Sequence, residues 1–291
     1  MEVTGTYDST VLDNADLFND PFYKRFKLRP RELKLDENIS KTYNFPTFYG
    51  DVTVMIGIFL CSRSKAKKMM LHPDIEPVVM TPGKSPVVFS CYIYNNVMGV
   101  APYNEIAMTI PILVKPKINV PILPLLNDKA FKEFGYYVFS MPVTSKENMI
   151  RGHKLWGLPK VVQEIDIFEK DGDCFCTCKE ESGEQYFEMR VPTTGTPTEF
   201  DVSSYLYSRL GDDFLQSETC FKANFNVNKY MKQLLVKNKP AKPFLKLGDT
   251  PSGRLLRDLE IEDQPIQTRF AKHMTACFDL PNEGFKPPIK F

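Results

Sequence analysis

Residues 86–115 read PVVFSCYIYNNVMGVAPYNEIAMTIPILVK, two largely apolar segments separated by a short stretch that contains Asn and Gly. β-Branched and aromatic residues are frequent in both segments, and Gly, Pro and Asn bound them, which is typical of strands. The same character is found earlier in VTVMIGIFLC (52–61) and later in EFGYYVFSMPV (133–143). The sequence therefore predicts a series of long strands in the first half of the chain.

Further strands are predicted downstream, where VVQEIDIFEK, DCFCTCKE and EQYFEMRVP follow one another over residues 161–192. The turn-like links KDGD and EESGE indicate a hairpin meander. Helical patterns are short and are confined to residues 64–74 and 145–157. We expect a predominantly β fold, a closed antiparallel β-barrel with a few short helices, because so many long strands in an open sheet would leave exposed edges.

The chain divides into an N-terminal arm and one domain. Residues 1–45 mix charged residues with isolated aromatics and show no period of 2 or 3.6, which predicts an extended arm. Residues 46–291 contain no repeat of fixed period, no low-complexity tract and no long linker. The most loop-like segment, residues 237–253, has apolar strand material on both sides, so we expect it to cross the surface of a single domain.

The charge balance argues against two classes of partner. Lys and Arg number 37 and Asp and Glu 36, so a net charge of +1 creates no overall field toward nucleic acid or an anionic membrane. The longest apolar stretch, Val52–Cys61, is about half as long as a bilayer-spanning helix, and the N-terminus lacks the basic and apolar regions of a signal peptide. We expect a soluble, cytoplasmic protein that binds neither nucleic acid nor membranes.

The seven cysteines are an odd number in a long chain and lack the density of a disulfide scaffold, which fits reduced thiols better. Cys174, Cys176 and Cys178 alternate along one predicted strand, which is a spacing for buried small side chains and not for the CxxC knuckle of a zinc site. The three histidines are isolated from one another in the sequence. No metal site is predicted, and all seven thiols are expected to be free.

Residues 152–162, GHKLWGLPKVV, combine the only Trp of the chain with one His, two Gly, a Pro and two Lys at a predicted helix-to-strand junction. Strand alternation places Lys160 on the same face as Val162 and opposite Val161, without showing which face is inside. Taken alone, a lysine at the start of a strand is most often a solvated surface cation.

The same segment resembles the active site of a known family. Its pattern Gly-x-x-Leu-x-x-x-Pro-Lys, followed by an apolar strand, is similar to that of the acetoacetate decarboxylases, in which the Lys after Pro forms a Schiff base with the substrate ketone. Upstream, Tyr103-Asn104-Glu105 is similar to the family's Tyr-x-Glu, whose Glu is a catalytic carboxylate. The two motifs occur in the family's order and at a similar separation, and the resemblance covers about residues 45–190.

This resemblance implies a site and a set of partners. Lys160 and Glu105 would be catalytic, and no cofactor or metal would be needed. The substrate would be a small carbonyl compound, and the protein would be a homo-oligomer, as members of the family usually are. The residues implied in the substrate pocket are Tyr103, Ser90, Trp156, Leu158 and Val161.

Several positions depart from the family pattern. The decarboxylases have a second Lys where this chain has Val161, and a Glu where it has Ser90. An Arg that receives the substrate carboxylate is expected on or just before the first long strand, yet residues 48–60 contain none and Arg63 is the nearest. The family's Gly-Arg-Glu is Gly-His-Lys at residues 152–154. The Schiff-base residues are thus retained, while those for decarboxylation are largely missing.

A lysine amine attacks a carbonyl only in its neutral form, which burial in apolar surroundings or a nearby cation favours; acetoacetate decarboxylase is itself the usual example of such a lysine. Apolar neighbours of Lys160 would supply dry surroundings. Glu105 would then move protons while the carbinolamine and the enamine form.

The resulting hypothesis is a lyase that forms an iminium between Lys160 and a keto or aldehyde compound. An iminium accepts electrons, which can drive loss of carbon dioxide, aldol chemistry or dehydration. Because the decarboxylation residues are missing, we expect weak or absent acetoacetate decarboxylation. We also expect a larger, less anionic substrate, processed by carbon–carbon bond or dehydration chemistry.

Two alternatives remain open at this point. One is a barrel that binds a hydrophobic small molecule without turning it over. The other is a structural or partner-binding domain whose interior is filled with side chains.

Overall fold

The structure is a computed structural model that describes residues 7–126, 130–131, 134–234 and 239–289. Its strands are β1 (Arg29–Lys34), β2 (Ser40–Phe45), β3 (Thr47–Ser62), β4 (Ile75–Pro77), β5 (Lys84–Val97), β6 (Tyr103–Val114), β7 (Phe134–Val143), β8 (Lys160–Val162), β9 (Glu164–Lys170), β10 (Asp173–Lys179), β11 (Gln185–Pro192), β12 (Thr196–Leu210), β13 (Asp213–Lys229), β14 (Leu245–Leu247) and β15 (Gln267–Pro281). Its helices are α1 (Arg63–Lys68), α2 (Leu123–Leu126), α3 (Lys146–Arg151) and α4 (Pro251–Asp258), with 3-10 turns at Ala15–Leu17, Tyr23–Arg25 and Met231–Leu234 and a π-helical turn at Gly152–Trp156.

Seven of the described strands close into a barrel in the order β6, β5, β3, β15, β13, β12 and β7, and β7 pairs again with β6. The predicted β-barrel is confirmed, but it is mixed and not wholly antiparallel, since β7 runs parallel to β12 and to β8. The parallel pairing of β7 with β8 results from the connection between these two strands. Because α3 and the π-helical turn cross between β7 and β8, the chain re-enters the wall in the same direction.

A second sheet, in the order β9, β10, β11 and β14, packs against the outside of the barrel. Its first three strands are the predicted meander, and they pair in antiparallel fashion. Cys174, Cys176 and Cys178 lie in one cluster with Met55 and Phe89 of the barrel. Barrel strands β3 and β5 are therefore covered on both faces, which explains why their sequences are apolar without alternation.

The segment predicted as one strand over residues 161–170 is divided in the structure. Its beginning lies in β8, which pairs with barrel strand β7, whereas β9 belongs to the second sheet. Gln163 stands between the two strands, and its backbone nitrogen donates to the carbonyl of Val143. The chain leaves the barrel directly after Val162.

Residues 29–45 form the antiparallel hairpin β1–β2, so the prediction of an extended arm is wrong for this part of the chain. Exposed and buried residues alternate along β2, and Lys41, Tyr43 and Phe45 are the buried ones. Phe45 packs on Trp156 with the ring centroids 5.8 Å apart. The hairpin therefore covers the part of the barrel that holds Trp156. Residues 1–6 of the predicted arm lie outside the described residues.

A buried ion pair attaches this hairpin to α3. Lys41 Nζ lies 3.1 Å from both carboxylate oxygens of Glu147, and the Tyr43 hydroxyl donates to Glu147 Oε1 at 2.6 Å. The side chains of Lys41 and Glu147 are 4% and 10% exposed. Removal of one member of such a pair leaves a buried charge without compensation.

The helix predicted over residues 145–157 is found as α3 followed by the π-helical turn. The Ser145 hydroxyl caps α3 by accepting from the Asn148 backbone nitrogen at 3.2 Å. Gly157 ends the turn in the left-handed region, with φ 58°. The other predicted helix, over residues 64–74, is shorter than expected and ends at Lys68.

All seven cysteines are free and buried, as predicted. Burial raises the pKa of Cys61 and of Cys174 to about 12, so these thiols remain protonated at neutral pH. Within the described ranges, no helix combines the length and the apolar composition needed to cross a membrane.

We expect Glu147→Ala to lower the free energy of unfolding by about 3–5 kcal/mol, because it leaves the Lys41 charge buried and unpaired. Urea unfolding followed by the fluorescence of Trp156 measures this loss. The matched control is Glu199→Ala, which removes a pair with Lys222 whose side chains are 70% and 48% exposed and should change stability little. Equal losses for the two variants would show that the buried pair does not hold the hairpin.

Candidate active site

A cavity of about 350 Å³ lies inside the barrel, with room for roughly a dozen water-sized groups. All seven barrel strands contribute to its lining. Strand alternation decides which residues face it, such as Val54, Ile56 and Ile58 on β3. The ionisable side chains of the lining include Glu105, Arg151, Lys160 and Arg269, and Glu105 is the only carboxylate among the described lining residues.

Lys160 is a buried cation on the wall of this cavity. It begins β8, beside Met141 of β7, and its side chain is 7% exposed. Its Nζ lies 2.5 Å from Glu105 Oε2 and 5.7 Å from the ring centroid of Tyr103. Lys160 is therefore not the solvated surface cation that a lysine at the start of a strand most often is.

Two glycines of this segment allow close packing, Gly152 against Lys160 and Gly157 against the backbone of β12. A Cβ on Gly152 would lie 2.5 Å from Lys160 Cδ, so the lysine side chain lies directly against the bare backbone. At Gly157, a Cβ would approach the Arg209 carbonyl oxygen to 2.0 Å. His153 Nε2 lies 2.6 Å from the Lys160 carbonyl oxygen and fixes the start of β8 from the other side. Gly152 and His153 thus both contact Lys160, the first at its side chain and the second at its backbone.

Glu105 lies on β6 and is held between the lysine and a tyrosine. The Tyr94 hydroxyl donates to Glu105 Oε1 at 3.4 Å, while Oε2 accepts from Lys160. Burial, together with the charge of Glu105, raises the pKa of Tyr94 well above its usual range. Tyr94 therefore keeps its proton and is a donor to the carboxylate.

Arg151 brings a second buried cation to the cavity wall from the end of α3. Its terminal nitrogens donate to Asn148 Oδ1 and to Thr47 Oγ1, both at 2.9 Å, and its guanidinium lies 4.4 Å from the ring centroid of Tyr43. The residue is 1% exposed, its Nε has no acceptor, and it forms no ion pair with a described carboxylate. Arg151 thus contributes a positive charge that is not held in an ion pair with a described acid.

Arg269 reaches the cavity from β15. Its Nε donates to Gln267 Oε1 at 2.5 Å, and its guanidinium lies 4.6 Å from the ring centroid of Phe200. Burial lowers the pKa of Arg269, against a smaller opposing effect of Tyr136. No ion pair joins Arg269 to an acid in the described part of the chain.

The structure brings most of the sequence-predicted site residues together. Ser90, Trp156 and Leu158 line the cavity with Lys160 and Glu105. Tyr103 is fully buried beside Lys160 but does not reach the cavity lining.

The structure corrects one residue of the predicted substrate pocket, Val161. Its side chain is 45% exposed and lies outside the cavity, so its assignment to the pocket is wrong. Alternation along β8 is the reason, because an inward Lys160 turns the next side chain outward.

Comparison with known proteins now gives the family. The family model described as acetoacetate decarboxylase matches residues 38–210, more than half of the chain. The chain belongs to the acetoacetate decarboxylase family. Among curated proteins, the comparison finds no match.

Several solved structures share the fold of this chain. The acetoacetate decarboxylase from Legionella pneumophila superposes with a TM-score of 0.58 at 13% identity, over 95% of both chains. Another acetoacetate decarboxylase gives 0.53 at 13% identity, over 81% of this chain and 87% of the other. The enduracididine biosynthesis enzyme MppR, in complex with pyruvate, gives 0.52 at 13% identity, over 81% and 88%. At such identities, the superpositions show the common fold alone.

Sequence reasoning missed both arginines of the cavity. Arg151 and Asn148 are three residues apart on α3 and share a helix face, a signal that was present in the sequence. Arg269 gave no such signal, because strand alternation does not show which face is inside. The first long strand indeed carries no arginine, but α3 and β15 each supply one to the cavity.

No group of three or more His, Cys, Asp or Glu side chains is arranged to hold a metal ion in the described part of the structure. Cys174, Cys176 and Cys178 instead face the cluster between the second sheet and the barrel.

We expect Gly152→Ala to displace the Lys160 side chain, since the new methyl group would overlap its Cδ. Under the Schiff-base hypothesis, imine trapping at Lys160 should fall by about tenfold or more, because the amine is displaced, while the far-ultraviolet circular dichroism spectrum is retained. Gly284→Ala is the matched control, because Gly284 is exposed and its nearest neighbour is the flexible side chain of Asn282 at 3.3 Å. Unchanged trapping in Gly152→Ala would show that the lysine does not depend on this contact.

Proposed function

We propose that this chain is a lysine Schiff-base enzyme that acts on a small carbonyl compound. The observation that carries the proposal is the buried contact of Lys160 Nζ with Glu105 Oε2, at 2.5 Å, on the wall of a mainly apolar cavity. Membership in the acetoacetate decarboxylase family supports it. A cavity of this volume fits a small metabolite and argues against a barrel whose interior is filled with side chains.

The first step is a proton transfer within the pair. Transfer of one proton from Lys160 to Glu105 frees the lone pair of the amine for attack. The amine then attacks the carbonyl carbon of the substrate, and a carbinolamine forms. Tyr94 remains a donor to Glu105 throughout, which keeps the carboxyl group oriented toward the lysine.

The second step removes water. The carbinolamine hydroxyl leaves as water with the proton returned by Glu105, and the nitrogen lone pair forms the iminium. The iminium then accepts the electron pair of a neighbouring carbon bond as that bond breaks, or of a carbon–hydrogen bond whose proton Glu105 receives. Hydrolysis by the reverse route releases the product and restores Lys160.

The reaction class follows from what lines the cavity. Ser90 lies where the resembling decarboxylases have an acid, and Val161 lies outside, so Glu105 and Lys160 act without a second acid or a second lysine at these positions. We therefore propose carbon–carbon bond or dehydration chemistry in place of efficient acetoacetate decarboxylation.

The expectation of a less anionic substrate loses one of its grounds, however. Besides Ser90 and Val161, it rested on the missing arginine of the first strand, whereas Arg151 and Arg269 both reach the cavity. A substrate with a carboxylate is therefore compatible with the site.

Cyanoborohydride reduction in the presence of small keto acids should add one substrate-derived group per chain, mapped by mass spectrometry to Lys160. Lys160→Ala should abolish this adduct, and Glu105→Gln should slow its formation by about 10²- to 10⁴-fold, because proton transfer is lost. Lys246→Ala is the matched control, since its exposed amine pairs with Glu188 outside the cavity. Carbon dioxide release from acetoacetate, measured in parallel, should be weak.

Saturable binding of ketones without any trapped adduct would contradict the proposal and favour a barrel that binds without turnover. Adducts spread over surface lysines, with Lys160 unmodified, would contradict it as well.

A further inference from the structure

We infer that Arg269 binds the carboxylate of a keto acid whose carbonyl group lies at Lys160, so that the substrate spans the cavity. This inference rests on the Schiff-base function proposed above and names its substrate class, a keto acid with an apolar spacer between the two groups.

The strand order sets Arg269 across the cavity from the lysine and glutamate. β15 is separated from β6 by three strand steps in one direction and four in the other, which places them on nearly opposite walls of a seven-stranded barrel. Residue pairing aligns Arg269 with Ile56, and Ile56 with Ser90, whereas Glu105 lies one inward-facing position further along β6. That offset is about 7 Å along the strands. A ligand that touches both sites therefore has two separated polar ends.

Arg269 has free donors that suit a carboxylate. Only its Nε is engaged, by Gln267, and neither terminal nitrogen has an acceptor among the described residues. A guanidinium presents two parallel N–H groups that match the two oxygens of a carboxylate. An unpaired cation on the inner face of a barrel is costly, and an anionic ligand would compensate it.

The cavity walls indicate the chemical character of the ligand between its two polar ends. Arg269 pairs with Ile56 and lies on the Phe200 ring, and the cavity lining also includes the apolar residues Ile58, Val88 and Phe134. Such walls favour a hydrocarbon or aromatic spacer over a polar one. Arg151 is less suited to the same task, because both of its terminal nitrogens already have acceptors.

The test compares two ketones of nearly equal shape, 5-oxohexanoate and 5-oxohexanamide, which differ in the charge of the end group. The readout is the ligand concentration that gives half-maximal reductive trapping at Lys160. Wild-type protein should favour the acid. Arg269→Gln should raise the half-maximal concentration of the acid by about 10- to 100-fold and change that of the amide much less. Arg269→Lys should recover part of the preference, and Arg254→Gln, an exposed arginine outside the cavity, should retain all of it.

Two results would overturn the inference. Equal weakening of the acid and the amide in Arg269→Gln would indicate a structural role, and an unchanged acid preference would place the carboxylate elsewhere.

A binding measurement distinguishes failure of this inference from failure of the proposed function. If wild-type protein traps neither ketone, calorimetric binding of both ligands to Lys160→Ala still tests the arginine. An acid preference that disappears when Arg269→Gln is added supports the inference, and the absence of any preference contradicts it.

Discussion

The contact between Lys160 and Glu105 is the constraint on which the rest of the site depends. Two opposite charges, each 7% exposed, are placed 2.5 Å apart in a largely apolar barrel. Taking each ion out of water costs several kcal/mol, and only close pairing and further hydrogen bonds offset that cost. A fold built for stability alone gains little from such a pair. Buried ionisable pairs on cavity walls are frequent at functional sites, and this is why the pair marks the candidate site of the barrel.

The structure around the pair keeps it in place from three directions. Gly152 allows the lysine side chain to lie against the backbone, and His153 binds the carbonyl at the start of β8. Tyr94 orients the carboxylate from the opposite side. Further out, the Lys41–Glu147 pair attaches the β1–β2 hairpin to α3, the helix that leads into β8. The hairpin outside the barrel is therefore connected to the geometry of the candidate site inside it.

Much of this architecture could be predicted from the sequence. Apolar runs and turn residues gave the long strands and the meander, and the Pro-Lys and Tyr-x-Glu segments gave the lysine and the carboxylate that the structure brings together. What failed depended on which strand face is inside. Val161 is exposed because alternation turns it away from an inward Lys160, so the two could not both face the pocket. Arg269 was missed because alternation gives two faces without an absolute direction. The β1–β2 hairpin was missed because only β2 alternates clearly, over six residues, while β1 is almost wholly exposed.

The measurement that tests the central claim most directly is a crystal structure of the protein reduced with cyanoborohydride in the presence of a keto acid. We predict continuous electron density from Lys160 Nζ to the former carbonyl carbon, inside the cavity and within hydrogen-bond reach of Glu105. An unmodified Lys160, still paired with Glu105 while the keto acid lies elsewhere or reacts with surface lysines, would contradict the account.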